Sequence, residues 1–171
     1  MPSPIAHALA GVAAGWMVDP PSSRDSRSAV RRSLLFAVAG MAPDLDLLIG
    51  AHSGPTHGLG AAAIVGVVAW LCLRGIGTRR AGATAWGIVL AYASHTLLDW
   101  LGTDSSPPIG IMAMWPINHD YYESDLHVFM AISRRYWLPE FWTYNLRALA
   151  RELLVFVPLV AFVLRYRRRP N

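Results

Sequence analysis

At 171 residues, 54% apolar and only 15% charged, with a mean hydropathy of +0.34, the chain is far from the composition of a disordered polypeptide. One domain is the expected count at this length. The apolar surplus exceeds what a small soluble core needs, so lipid is the natural surrounding for the excess. The net charge is +4 and all fifteen basic residues are arginine, so their positions decide between a nucleic-acid surface and membrane orientation. Cys72, the single cysteine, lies in an apolar run, which excludes an intrachain disulfide framework or a zinc ribbon.

Five apolar stretches, at 4–18, 33–50, 58–73, 83–101 and 149–164, predict an all-α integral membrane bundle of about five helices. Residues 1–171 then form a single membrane-embedded domain. The first stretch has no arginine before it and reads as a helix rather than a cleaved signal. The second is interrupted by Pro43, Asp44 and Asp46. The third, Gly58 to Leu73, has 16 residues; at ~1.5 Å per residue it falls short of a bilayer core of ~30 Å, so tilt or thinning must help. The fourth carries His95 and Asp99. Residues 102–148 are rich in aromatics, among them Trp115, Tyr121, Tyr122, Tyr136, Trp137, Trp142 and Tyr144, and predict an external cap in the headgroup zone. The fifth helix is expected to begin near Glu140 as an interfacial segment, with a kink at Pro158. Gly11, Gly15, Gly58, Gly60 and Gly66 suit close helix packing.

Eleven of the fifteen arginines fall in alternate connections: Arg24, Arg27, Arg31 and Arg32; Arg74, Arg79 and Arg80; Arg165, Arg167, Arg168 and Arg169. Nine of the eleven acids lie in or beside the other connections. The positive-inside rule then predicts a multi-pass protein of a bacterial inner membrane, with a cytoplasmic C-terminus and the acidic connections on the periplasmic side.

Laid onto that topology, His7, Asp44, Asp46, His52, His57, His95 and Asp99 converge at one membrane depth. Titratable groups there are costly unless paired or coordinated, and a shared metal ion satisfies them together. His95 and Asp99, in HTLLD, are four apart and share a helix face; the same spacing also suits a buried hydrogen bond. Asp44 and Asp46, in APDLD, follow a proline, where the backbone can leave the helix and turn both carboxylates toward one point. His52 and His57, in HSGPTHG, flank a turn at Gly54 and Pro55, with Thr56 as an N-cap for the third helix. His119, Asp120, Asp125 and His127 read as a solvated polar face.

PSPIAHALAG at the start, APDLD before HSGPTHG, and ASHTLLDWLGTD followed by a Trp-Pro pair resemble the LexA-regulated, membrane-bound metal-dependent hydrolase family of bacterial inner-membrane proteins. The resemblance covers residues 2 to about 122. It implies a helical membrane protein with hydrolase activity and a metal site, mapping onto the same seven residues. Members often carry arginine after the loop histidine, where this chain has Ser53.

Mixed imidazole and carboxylate donors suit zinc first, with manganese or iron as alternatives, more than calcium or magnesium. Seven candidates exceed the three ligands of a catalytic zinc, which points either to residues orienting the ligands or to two ions. The expected chemistry is attack by a metal-activated water on an ester or phosphoester near the outer leaflet, with Asp46 as proton acceptor. The lipid bilayer is the expected partner, with a lipid or phosphoester as substrate and no nucleic acid; the oligomeric state stays open. Three other readings stand beside this one: a membrane transporter or ion-handling protein, a non-catalytic membrane scaffold with a structural metal, and a soluble helical esterase or nuclease whose apolar runs form a core.

Overall fold

The computed structural model describes residues 1–21, 26–50, 52–105 and 107–167. Arg24, Arg168 and Arg169, which enter the charge argument above, lie outside the described residues. The first helix, α1 (Pro4–Val18), starts where Ser3 accepts the Ala6 amide on its hydroxyl at 3.2 Å. Pro4 supplies a preset φ and lacks the N–H that a first turn would leave unpaired. With small residues Ala6, Ala10, Gly11, Ala13 and Gly15 buried along it, α1 is the axis against which α2 (Ser26–Met41), α4 (Ala81–Leu101) and α5 (Phe141–Arg167) pack. The remaining helix, α3 (Leu59–Gly75), packs on α4.

Two apolar clusters fill the bundle. One gathers Val12, Trp16, Phe36, Ile88, Ala91 and Val163; the other gathers Ala6, Ala10, Leu98, Phe129 and Phe156 nearer the start of α1. At the crossing of α1 and α2 the backbones meet. A Cβ on Gly11 would lie 2.5 Å from the Phe36 carbonyl oxygen, and one on Gly40 would lie 2.5 Å from that of His7. Only glycine fits at both positions.

Pro43 cannot continue α2, and the chain tightens into a 3₁₀ segment over Ala42–Ile49 that ends at Gly50, with φ at 73°. A second, shorter 3₁₀ turn, Pro55–His57, begins at another proline and leads into α3. These two turns lie at the end of the bundle where α1 begins and α4 finishes. Described residues between 102 and 140 bond to the same end. Met112 N–H donates to the Ser53 carbonyl at 3.0 Å, and the Leu59 and Gly60 amides donate to Ala113 and Trp115, each at 2.9 Å. These bonds tie part of the aromatic-rich segment to the turns, and α5 begins at Phe141, so residues 141–148 of the expected cap belong to that helix.

The expected integral membrane bundle does not stand: no helix among the described residues is long and apolar enough to cross a membrane. The reasons differ by helix. The 15 and 17 residues of α1 and α3 span ~22 and ~25 Å against a core of ~30 Å. The apolar run at 33–50 belongs to a helix that starts earlier, at Ser26, and takes Arg27, Arg31 and Arg32 into its first turns, while its last part is the 3₁₀ segment. In α4, the buried Thr84, Tyr92, His95, Thr96 and Asp99 lower the apolar content of the helix, and α5 carries Arg147, Arg151 and Glu152 in its first half. The multi-pass topology is withdrawn with the spans, and so are the sidedness of the site and of the C-terminus. The charge asymmetry itself survives: Arg27, Arg31, Arg32, Arg74, Arg79, Arg80, Arg165 and Arg167 sit on helix ends and turns at the end of the bundle opposite the two 3₁₀ turns.

Candidate metal centre

Four elements bring the seven expected residues together. His7 comes from the first turns of α1, Asp44 and Asp46 from the longer 3₁₀ segment, His52 and His57 from the loop and the second 3₁₀ turn, and His95 and Asp99 from the last turns of α4. His7, His57, His95 and Asp99 are at most 2% exposed, whereas the side chains of Asp44 and His52 are 24% and 25% exposed and form the open rim.

The centre is a set of short donor–donor separations. His95 Nε2 lies 3.0 Å from Asp99 Oδ2 and 3.6 Å from Asp44 Oδ1; His57 Nε2 lies 3.5 and 3.6 Å from the same two oxygens. His7 Nε2 lies 3.3 Å from the other oxygen of Asp99, and the His7 and His95 rings stack at 3.7 Å. His57 Nε2, His95 Nε2 and both Asp99 oxygens are buried without a hydrogen-bond partner. Buried polar atoms left unpaired are costly, and four of them facing one another are a donor set that could hold a shared cation. Tetrahedral ligands at ~2.0 Å from a zinc ion stand about 3.3 Å apart, within the range of these separations. The donors fit a divalent ion.

The protons on two rings are fixed by neighbours. The Gly40 carbonyl can only accept, so His95 donates Nδ1–H to it at 2.8 Å and presents the Nε2 lone pair to the centre. Thr56 gives its hydroxyl proton to Asp46 Oδ2 at 2.7 Å, so its oxygen is free to accept from His57 Nδ1–H at 3.1 Å, which again turns Nε2 inward. The Tyr92 hydroxyl and the Thr96 hydroxyl on α4 donate to the carbonyls of Thr56 and His57 at 2.7 and 2.8 Å and fasten the turn to the helix.

Asp44 and Asp46 do not meet at one point. Successive residues of a 3₁₀ helix turn by about 120°, so positions two apart face different ways. Asp44 faces His57 Nε2 and His95, whereas Asp46 sits behind the same ring, 3.3 Å from His57 Nδ1 and 3.3 Å from His52 Nδ1. His52 turns its Nε2 to the Met1 sulfur at 2.9 Å. Thr56 does not cap α3; Gly58 holds that position and Thr56 serves the histidine instead. His119, Asp120, Asp125 and His127 are exposed and stand apart from the centre. The Gly40 carbonyl and Met1 carry no chemical signal in the sequence; Thr56, placed directly before a candidate ligand, carried one.

Charge follows the geometry. Burial pushes the Asp99 carboxyl up, but His7 and His95 outweigh it and hold it well below the usual carboxylate range. Burial also acts upward on Asp44 and is offset by His57, His95 and His7, leaving it below its ordinary value. Burial pushes His57 down, yet Asp44 and Asp46 raise it to about 9; burial and repulsion from His7 lower His95. The carboxylates are therefore anionic, and His57 is the ring that carries the compensating proton when no cation is present.

A family model described as YdjM inner membrane protein matches residues 1–170, a stretch that contains every donor named above. The chain belongs to the YdjM family. No curated protein and no solved structure matches it. Within the YdjM match, the donors of the centre form two groups able to hold a metal ion, His7 with His95 and Asp99, and Asp44 with His52 and His57.

Proposed function

We propose that this YdjM-family chain is a metal-dependent hydrolase acting on an ester or phosphoester, the activity implied by its resemblance to the LexA-regulated hydrolases. The observation that supports this reading is the convergence of four buried, unpartnered donor atoms from His57, His95 and Asp99 beside the half-exposed carboxylate of Asp44. A bound divalent ion, zinc by preference, supplies Lewis acidity toward a substrate oxygen and lowers the pKa of water toward ~7.

The chain's own groups divide the remaining work. His57 and His95 are held with their Nε2 atoms inward by Thr56, Asp46 and the Gly40 carbonyl. Asp46 is buried and engaged by Thr56, His57 and His52, so in this reading it positions His57 rather than taking a proton from water. Asp44, at the open rim, is a donor to the ion in this reading, and solvent on that open side takes the proton released from water. A purely structural metal would leave the rim unused; here the open side is lined by Asp44 and His52.

The lipid bilayer is the partner we propose. Leu34, Val38, Leu48, Ile49, Leu154 and Phe162 are all more than half exposed and offer apolar side chains that lipid would cover. Attachment through these faces requires no helix to cross the membrane. This reading adopts the inner membrane of the family description as the location, with a lipid or phosphoester as the substrate.

The test is metal analysis of purified protein alongside His95→Ala and Asp44→Ala, followed by turnover of p-nitrophenyl acetate and bis-p-nitrophenyl phosphate. Bound metal in the native chain, its loss in both variants, and turnover only of the loaded protein are expected. Metal content unchanged in both variants removes the site assignment. Retained metal without turnover of either ester class removes the hydrolase and leaves a structural metal.

A further inference from the structure

We propose that the centre holds two divalent ions, one bound by His7, His95 and Asp99 and the other by Asp44, His52 and His57. The inference rests on the metal-dependent reading above and deepens it. Within each of the two triads, the three donor atoms lie within 4.8 Å of one another.

A single ion explains only part of the centre. Placed among His57, His95, Asp44 and Asp99, it takes four protein donors, which is the closed coordination of a structural zinc. It also leaves His7 without a task. That ring is 1% exposed, its Nε2 faces the second Asp99 oxygen at 3.3 Å, and its Nδ1 has no partner. A buried imidazole stacked on a ligand ring is an expensive spectator.

Two ions give His7 a role and leave only Asp46, which orients His57, outside the triads. Asp99 has two unpartnered oxygens, one facing His7 and the other facing both His95 and His57. Asp44 Oδ1 lies at 3.6 Å from both His57 and His95, at the rim. His52 completes the outer triad by exchanging the Nδ1–H bond to Asp46 Oδ1 at 3.3 Å for Nε2–H toward the Met1 thioether, a weak acceptor, which frees the Nδ1 lone pair, 3.9 Å from Asp44. Held by the three donors of its own triad, each ion would keep an open position, the condition for catalytic rather than structural metal. The inner triad is fully buried and the outer one lies at the rim, so the two ions differ in exchange with solvent.

The experiment is a titration of chelator-stripped, full-length protein with Mn(II), read by equilibrium dialysis with elemental analysis and by electron paramagnetic resonance. Two manganese ions per chain and an exchange-coupled signal are expected. His52→Ala, at the exposed rim, and His7→Asn, in the buried triad, should each bind one ion and show the isolated six-line spectrum. One ion per native chain, lost in His95→Ala, overturns the pair and leaves the metal-dependent reading intact; no bound ion in folded native protein overturns both. Should His7→Asn fail to fold, the native stoichiometry and coupling, with His52→Ala, still decide.

Discussion

His95 donates Nδ1–H to the Gly40 carbonyl at 2.8 Å, which ties a metal-facing ring on α4 to the glycine crossing of α1 and α2. A Cβ at Gly40 would stand 2.5 Å from the His7 carbonyl oxygen and 3.1 Å from Gly11 Cα, both backbone atoms that cannot rotate away. Gly40→Ala must therefore part the two helices and shift the carbonyl that orients His95. A loss of about 1 to 3 kcal/mol from overpacking is expected, with metal affinity at least tenfold weaker as a second consequence. Thermal unfolding and a metal titration check both, and native affinity in this variant would show that His95 is held by something else.

Thr56 is the hinge of His57: it donates to Asp46 at 2.7 Å and accepts from the ring at 3.1 Å. Thr56→Val removes both bonds and no metal donor. Affinity should fall by roughly 10- to 100-fold at unchanged stoichiometry, the range usual for groups that orient ligands. A drop in the number of ions bound would instead make Thr56 part of the coordination itself.

Much of this centre was legible because its residues carry local signals. HTLLD put His95 and Asp99 on one face of α4, and they are 3.0 Å apart; Pro43 marked the break after α2 that carries Asp44 and Asp46 away from the helix. Helices α1 and α4 sit within two residues of their apolar runs. The membrane spans were misread because apolar content alone does not distinguish a helix buried on its neighbours from one facing lipid. The buried face of α1 is mostly small and apolar, but α1 is too short for a span, and α4 buries Thr84, Tyr92, His95, Thr96 and Asp99 among its apolar residues. Contacts made across the chain were not legible at all. Glu152 accepts both the amide and the hydroxyl of Ser3, 149 residues away, and so holds the start of α1 beneath His7. No periodicity announces such a pair.

The pH response of metal-free protein follows from His57. Its folded value, about 9, is raised above the ordinary 6.5, so the protonated ring stabilises the fold fully below pH 6.5 and loses that contribution as pH climbs toward 9. His95 and the lowered carboxylates act on the acid side, where their contributions disappear as pH falls. Chelator-stripped protein should show a falling Tm from pH 6.5 to 9, and metal should abolish the decline because it takes the place of the His57 proton. A Tm that rises over that interval in stripped protein would mean the ring is neutral in the fold.

Asp19, at the end of α1 and fully buried, separates folding from the site. It accepts from the Thr84 hydroxyl at 2.7 Å and pairs with Arg32 and, at 3.1 Å, with Arg80. Removing one partner of a fully buried pair costs about 3 to 5 kcal/mol, but Arg32 and Arg80 are 24% and 51% exposed and can take up water, so about 2 to 3 kcal/mol is expected for Asp19→Ala. Asp19→Asn keeps an acceptor for Thr84 and should lose less. Thr84 lies eleven residues before His95 on α4, about 16 Å along the helix, so neither variant should alter metal stoichiometry in protein that remains folded. Urea unfolding and elemental analysis on the same samples check this; metal lost in step with stability, in protein still folded by circular dichroism, would show that the two ends of the bundle are coupled.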